Sequence, residues 1–261
     1  MNLDNLSTSA LSVDNLAVIV SPNREQLGIE AASAVAERIR EIQSRKETVN
    51  MIFASAPSQN EFLQHLKNAA GIDWSRINAF HMDEYIGLES DAPQNFATFL
   101  VDRLFNHVAI GNFYRINGNA SNVTDEIARY TALLEENPVD IICMGIGENC
   151  HIAFNDPHVA DFNDPATVKV VELDETSRVQ QVNDGCFTTL GSVPTHALTL
   201  TIPTLVKPAH AFCIVPGPLK AQAIKYTLEA DISPEFPSTI LREHPDARLF
   251  VDKESASLLG A

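Results

Sequence analysis

The amino-acid sequence predicts a doubly wound, Rossmann-like α/β fold: a mostly parallel sheet with helices on both faces. Three observations carry that prediction. Short apolar runs of strand length alternate with segments of helical periodicity along nearly the whole chain. The run over residues 139–145 is almost wholly apolar, as a strand covered on both faces must be. The most unusual chemistry falls in loops that follow such runs, where open α/β sheets bind their ligands.

Taken in order, residues 1–14 are polar, rich in Ser and Asn, and read as a loose leader before a single domain over 15–261. Residues 16–20 (Leu-Ala-Val-Ile-Val) predict a buried strand, and Ser21-Pro22-Asn23 the turn that opens a helix. Leu27, Ala31, Val35, Ile39 and Ile42 recur three or four apart, so residues 24–45 should form an amphipathic helix. A strand over 50–55 and a helix over 58–69 follow, then a strand over 77–81 and a helix over 94–107. Residues 123–136 predict a helix stopped at Asn137-Pro138, ahead of the apolar run at 139–145. Strands over 197–201 and 211–215, a helix over 218–229 and a last strand over 247–251 complete the alternation.

Composition narrows the function. The chain has 261 residues, 45% of them hydrophobic, which supports a sizeable core. Its 18 basic residues against 34 acidic ones give a formal charge of −16, a surface that repels nucleic acid and anionic lipid. A local positive pocket for a small anion is compatible with that surface. The longest apolar runs are far short of the ~20 residues that cross a bilayer, and no secretory signal is visible. The four cysteines show no Cys-x-x-Cys spacing, and Cys143 and Cys213 sit in apolar runs, so the expectation is a reduced, cytoplasmic protein. The sequence fits a homo-oligomer as well as a monomer.

Four loops draw attention. After residue 81 comes His81-Met-Asp-Glu-Tyr-Ile-Gly-Leu88, with two adjacent carboxylates at a strand end. Asp83 and Glu84 could raise each other's pKa into a working range for acid–base chemistry, or could cap a turn and face solvent. After residue 145, Gly147, Asn149, His151 and Asp156 lie together in a Gly-rich segment, where a carboxylate near the imidazole could orient it. A structural histidine in a turn is the other reading. His151, Asp156, His158 and Asp161 are close in sequence but fit no helical metal-ligand pair, and no metal is assigned. After residue 55, Ser55, Ala56, Ser58 and Gln59 open a helix and could cradle a phosphate or merely cap it. After residue 215, Lys220 sits in the first turn of a helix, where a cation opposes the helix dipole unless an anion intervenes.

Together these stretches resemble the glucosamine-6-phosphate deaminase/isomerase family. The family's Met-Asp-Glu-Tyr and Gly-Leu elements are matched by Met82-Asp-Glu-Tyr85 and Gly87-Leu88. Its Gly-x-Gly-x-x-x-His-Ile-Ala-Phe-Asn-Glu/Asp-Pro pattern is matched by residues 145–157. Ser177-Arg178, Ala197-Leu-Thr-Leu200, Gly217 and Lys220-Ala221 agree in order, so the similarity runs from about residue 15 to residue 252. The related 6-phosphogluconolactonases carry a Thr-Ala-Ser-Leu-Phe-Pro-like run after the histidine, and this chain does not.

The resemblance implies deamination and isomerisation of a hexosamine 6-phosphate, without metal or redox cofactor. Asp83 matches the base that moves a proton between C2 and C1, and His151 the residue that opens the sugar ring. Asp156 falls where a Glu partners that histidine, and Asn149 where a catalytic-site Asp stands. Ser55, Ala56, Ser58, Gln59, Glu84, Gly147 and Lys220 fall in the substrate- and phosphate-binding set. The departures are Asn149 and Cys150 for Asp and Gly, Asp156 for Glu, Ala56-Pro57-Ser58 for Gly-Gly-Thr, and Asn183 near the place of a second phosphate-binding Arg. Galactosamine-6-phosphate deamination is the nearest alternative. Lactone hydrolysis and a non-catalytic sugar-phosphate sensor are the others.

Overall fold

A computed structural model describes residues 8–260. The first strand, β1 (Ser9–Val13), pairs antiparallel with β2 (Leu16–Ser21) across a turn at Asp14, whose φ of 50° is left-handed. The loose leader is corrected in its described part by this strand; residues 1–7 lie outside the described residues. β1 is exposed along most of its length, so no apolar alternation marked it; the backbone ladder to β2 and the packing of Val13 against the core hold it.

The chain then runs through α1 (Arg24–Gln43), β3 (Val49–Phe53), α2 (Asn60–Lys67), β4 (Ile77–His81) and β5 (Asp83–Tyr85). It continues with α3 (Phe96–Arg103), β6 (Asn112–Tyr114), α4 (Val123–Glu136), β7 (Ile141–Met144), β8 (Val168–Glu172) and α5 (Glu175–Asn183). The remaining elements are β9 (His196–Leu200), α6 (Ile202–Leu205), β10 (His210–Val215), α7 (Ala221–Glu229) and β11 (Ala247–Asp252). α1 starts where Asn23 accepts a hydrogen bond from the Gln26 N–H, and its face of Leu27, Ala31, Val35, Ile39 and Ile42 is buried.

Eight strands form one sheet in the order β1-β2-β11-β10-β7-β3-β4-β6, parallel except for β1. Successive strands step outward from β3 through β4 to β6, then return to β7 and step the other way through β10 to β11. The direction therefore reverses between the neighbours β3 and β7, and a crevice opens beyond their carboxyl ends.

Both faces are covered, which is why β3 and β7 are buried throughout and apolar except at Asn50. Met51, Phe53, Ile141 and Cys143 pack in one core with Leu27, Val35, Phe62 and Leu100 from α1, α2 and α3. Ile52, Ile142 and Met144 pack in the other with Tyr130 and Leu134 of α4 and Ile224 and Leu228 of α7.

One expected strand belongs elsewhere. Residues 197–201 are read as part of the alternation, but β9 lies in a separate antiparallel sheet of order β5-β9-β8. Leu198 and Leu200 cover the second face of the large sheet, while Tyr85, Phe154, Val171 and Ala197 make a third core.

Candidate active site

The four loops singled out in the sequence converge on the crevice beyond β3 and β7. Ala54, Ser55, Ala56, Ser58, Asp83, Gly145, Gly147, His151 and Lys220 line one cleft, closed by Phe96, Phe154, Gln180 and Gln181. It encloses about 500 Å³ of space, part of it continuous with solvent.

Asp83 reaches the cleft because β4 ends at His81 and β5 begins two residues later. The Tyr130 hydroxyl clamps that strand end, accepting from the His81 N–H (3.1 Å) and donating to the His81 carbonyl (2.8 Å). The His81 ring is buried; its Nε2 accepts from the Ile116 N–H (2.8 Å), and burial holds its pKa down at about 3, so it stays neutral. Burial, and then the neighbouring Glu84 charge, push the Asp83 carboxyl well above the usual carboxylate range.

Glu84 is placed differently from the expectation. Within β5 successive side chains point to opposite faces. With Asp83 toward the cleft, the Glu84 carboxylate turns to the start of α3, where it accepts from the N–H groups of Phe96 and Ala97 (3.0 Å each) and from Tyr85 N–H (3.0 Å). Its carboxyl is raised to about 7 by burial, against the pull of those three donors. It borders a second cavity with Arg115 and Asn117, so its assignment to the substrate-binding set is corrected.

His151 sits in a strained segment: Cys150 and Ala153 have φ of 70° and 50°, and Gly147 lies against the imidazole face. Nδ1 faces three partners, Asn149 Oδ1 at 2.7 Å, Ser177 Oγ at 2.9 Å and Asp156 Oδ1 at 3.0 Å. Ser177 Oγ also donates to Asp156 Oδ1, and Asn149 Nδ2 donates to the same oxygen at 3.0 Å. Burial alone would raise the Asp156 carboxyl, but the hydrogen bonds from His151, Ser177 and Asn149 outweigh it and hold Asp156 well below the usual range. A fully buried carboxylate thus stands charged behind the imidazole.

Ser55 and Lys220 face the cleft from the loop after β3 and from the turn before α7. The Ser55 hydroxyl is buried without a hydrogen-bond partner in the structure. Lys220 is 7% exposed; burial lowers its pKa, while Asp184 and Glu148 act on it through space in the opposite direction. Gly217, at φ 94°, makes the turn that swings the lysine inward. Gln59, in contrast, is a brace: its buried Nε2 donates to the Ile214 carbonyl (3.0 Å), tying the start of α2 to β10.

Ser177, Asp174, Gln180 and Gln181 were given no role in the sequence reading. All belong to α5 or its cap: Asp174 Oδ1 accepts from the Ser177 N–H (2.7 Å), and Gln180 Oε1 accepts from the Glu148 N–H (2.9 Å). The signal was an Asp N-cap at 174, which places Ser177, Gln180 and Gln181 on one helical face. Arg178 leaves the cleft and binds the Leu190 and Val193 carbonyls (2.8 and 3.0 Å). Asp156, His158 and Asp174 bring donor atoms within 4.8 Å of one another, but both carboxylates already accept hydrogen bonds from Asn149 and Ser177.

The fold and cleft define a doubly wound α/β protein with a carboxyl group, an imidazole and an ammonium around one crevice at the reversal of strand order. The chain belongs to the glucosamine-6-phosphate isomerase/6-phosphogluconolactonase family, whose model matches residues 22–250. Glucosamine-6-phosphate deaminases of Bacillus cereus (strain B4264) and Bacillus anthracis (strain CDC 684) are each 35% identical over 246 residues, covering 94% of this chain and 88% of theirs. A solved monomeric glucosamine-6-phosphate deaminase superposes with a TM-score of 0.85 at 31% identity, over 92% of this chain and 99% of that one. The 6-phosphogluconolactonase of Shewanella baltica matches with a TM-score of 0.74 at 16% identity, over 93% and 97% of the two chains, a likeness of fold. No helix among the described residues is long and apolar enough to cross a membrane.

Proposed function

We propose that the protein converts glucosamine 6-phosphate to fructose 6-phosphate and ammonia. The observation that carries the reading is that Asp83, His151 and Lys220, from three separate segments of the chain, line one cleft. Lys220 and the loop after β3 hold the phosphate, with the unpartnered Ser55 hydroxyl and the Ser58 hydroxyl as further donors.

His151 acts first. Its Nδ1 is occupied by hydrogen-bond partners, so Nε2 is left to take the proton from the C1 hydroxyl and deliver it to the ring oxygen, opening the sugar. Charged Asp156 stabilises the imidazolium formed in between. Asp83 then removes the C2 proton from the open-chain aldehyde and returns it at C1. Its raised proton affinity makes it a strong base once ionised, able to keep the proton between the two steps. The product is an imine at C2; water adds there and ammonia leaves. Each positioned proton transfer contributes roughly 10²–10⁴ in rate.

A cytoplasmic setting agrees with four free cysteines, three of them buried. Purified protein should release ammonia from glucosamine 6-phosphate in step with fructose 6-phosphate formation. Faster turnover of galactosamine 6-phosphate would reassign the sugar. Consumption of 6-phosphogluconolactone, or tight hexosamine-phosphate binding, without ammonia would overturn the reading.

A further inference from the structure

The amide of Asn149 lies between the imidazole and two carboxylates, and its orientation is decided by them. Nδ2 donates to Asp156 Oδ1 (3.0 Å) and to Asp174 Oδ2 (3.2 Å), while Oδ1 accepts from the His151 backbone N–H (3.2 Å) and faces His151 Nδ1 (2.7 Å). Turning the amide over would set its oxygen against two carboxylates, so this orientation is the one the site holds.

An acceptor at 2.7 Å requires that Nδ1 carry the hydrogen. Ser177 agrees: its hydroxyl donates to Asp156 and so also accepts at Nδ1. Asp174 uses its two oxygens for different tasks. Oδ1 caps α5 at the Ser177 N–H, and Oδ2 takes the Asn149 amide.

We propose that Asp174 is a positioning residue that acts through Asn149 to hold His151 as the Nδ1–H tautomer, leaving Nε2 free toward the cleft. Residues 149 and 174 are thereby a matched pair, one amide and one carboxylate. The inference rests on the proposed role of His151. A carboxylate at 149 would bring a third anion against Asp174 and Asp156 where an N–H donor now stands. An amide at 174 could keep the cap through its oxygen but would present N–H against N–H. Exchanging the two chemistries restores a donor facing an acceptor between 149 and 174, although the carboxylate at 149 would still face Asp156 Oδ1, so the recovery is partial.

The test compares Asp174→Asn, Asn149→Asp and the double exchange with wild type, reading kcat and KM for glucosamine 6-phosphate and the ¹⁵N shifts of the His151 ring in substrate-free enzyme. Each single variant should lose about 10–100-fold in kcat, with KM nearly unchanged, and Asp174→Asn should move the His151 hydrogen toward Nε2. The double exchange should recover at least about tenfold over Asn149→Asp, a non-additive result. Asp174→Ser keeps a capping hydroxyl and removes the second acceptor, so it should show the same ring shifts even if Asp174→Asn folds poorly. Wild-type ring shifts in either Asp174 variant, or a double exchange no better than Asn149→Asp, would overturn the proposal. The spectra do not depend on substrate, so absence of ammonia release in wild type counts against the proposed reaction and leaves the tautomer test standing.

Discussion

Gly147 lies so close to the face of His151 that a β-carbon on it would fall 2.3 Å from Nε2 and 2.2 Å from the carbon between the ring nitrogens. The imidazole cannot swing away without breaking its contacts to Asn149, Ser177 and Asp156. Gly147→Ala should therefore displace the ring and lower kcat by about 10²-fold or more while the protein stays folded. Steady-state kinetics beside a thermal melt decides it; a variant with wild-type kcat would show that the ring position is not critical.

Asp83→Asn keeps the size of the side chain and removes the base. Turnover should fall by about 10³-fold or more, while binding of a non-reacting sugar phosphate, measured by calorimetry, changes little. Wild-type turnover in this variant would remove Asp83 from the mechanism.

Lys220 presents a buried ammonium to the cleft, a cost to folding that a bound anion would offset. Lys220→Met should raise KM for the sugar phosphate by about 10-fold or more and at the same time stabilise the free protein by about 1 kcal/mol. Inorganic phosphate should protect the wild type against thermal unfolding and not the variant. Equal protection of both would place the anion elsewhere.

Glu84 makes stability depend on pH. Its carboxyl is raised from 4.5 to about 7, so between those values the folded protein keeps a proton that the unfolded chain has released. Its contribution is complete below pH 4.5 and is lost as pH rises through 7, an effect of about 3 kcal/mol. Urea titrations across this range should give a shallower pH dependence for Glu84→Gln than for wild type. An identical slope would rule out Glu84 as its source.

Much of this architecture was legible in the chain. A strand buried on both faces is apolar along nearly all its length, so residues 139–145 announced the centre of the sheet, and the helix over 24–45 was visible from its apolar stripe. The loops after residues 55, 81, 145 and 215 followed from the rule for parallel sheets, and all four meet at the cleft. β1 and β8 were not legible, because exposed or half-exposed strands bear no burial pattern, and residues 83–85 are too short a strand to show one. Reading those three as a loop hid the fact that Asp83 and Glu84 must face opposite ways.

By itself, then, the sequence determined which segments are buried and which loops follow them, since burial leaves a periodic mark on residue types. Only the tertiary structure decided the partners of those loops. Asp174 and Ser177 stand 23 and 26 residues beyond His151, yet Ser177 meets its ring and Asp174 meets the Asn149 amide beside it, only because α5 packs its first turn against the segment after β7. Hydrogen bonds between separate loops depend on distances and directions through space, and no local pattern in the chain encodes those.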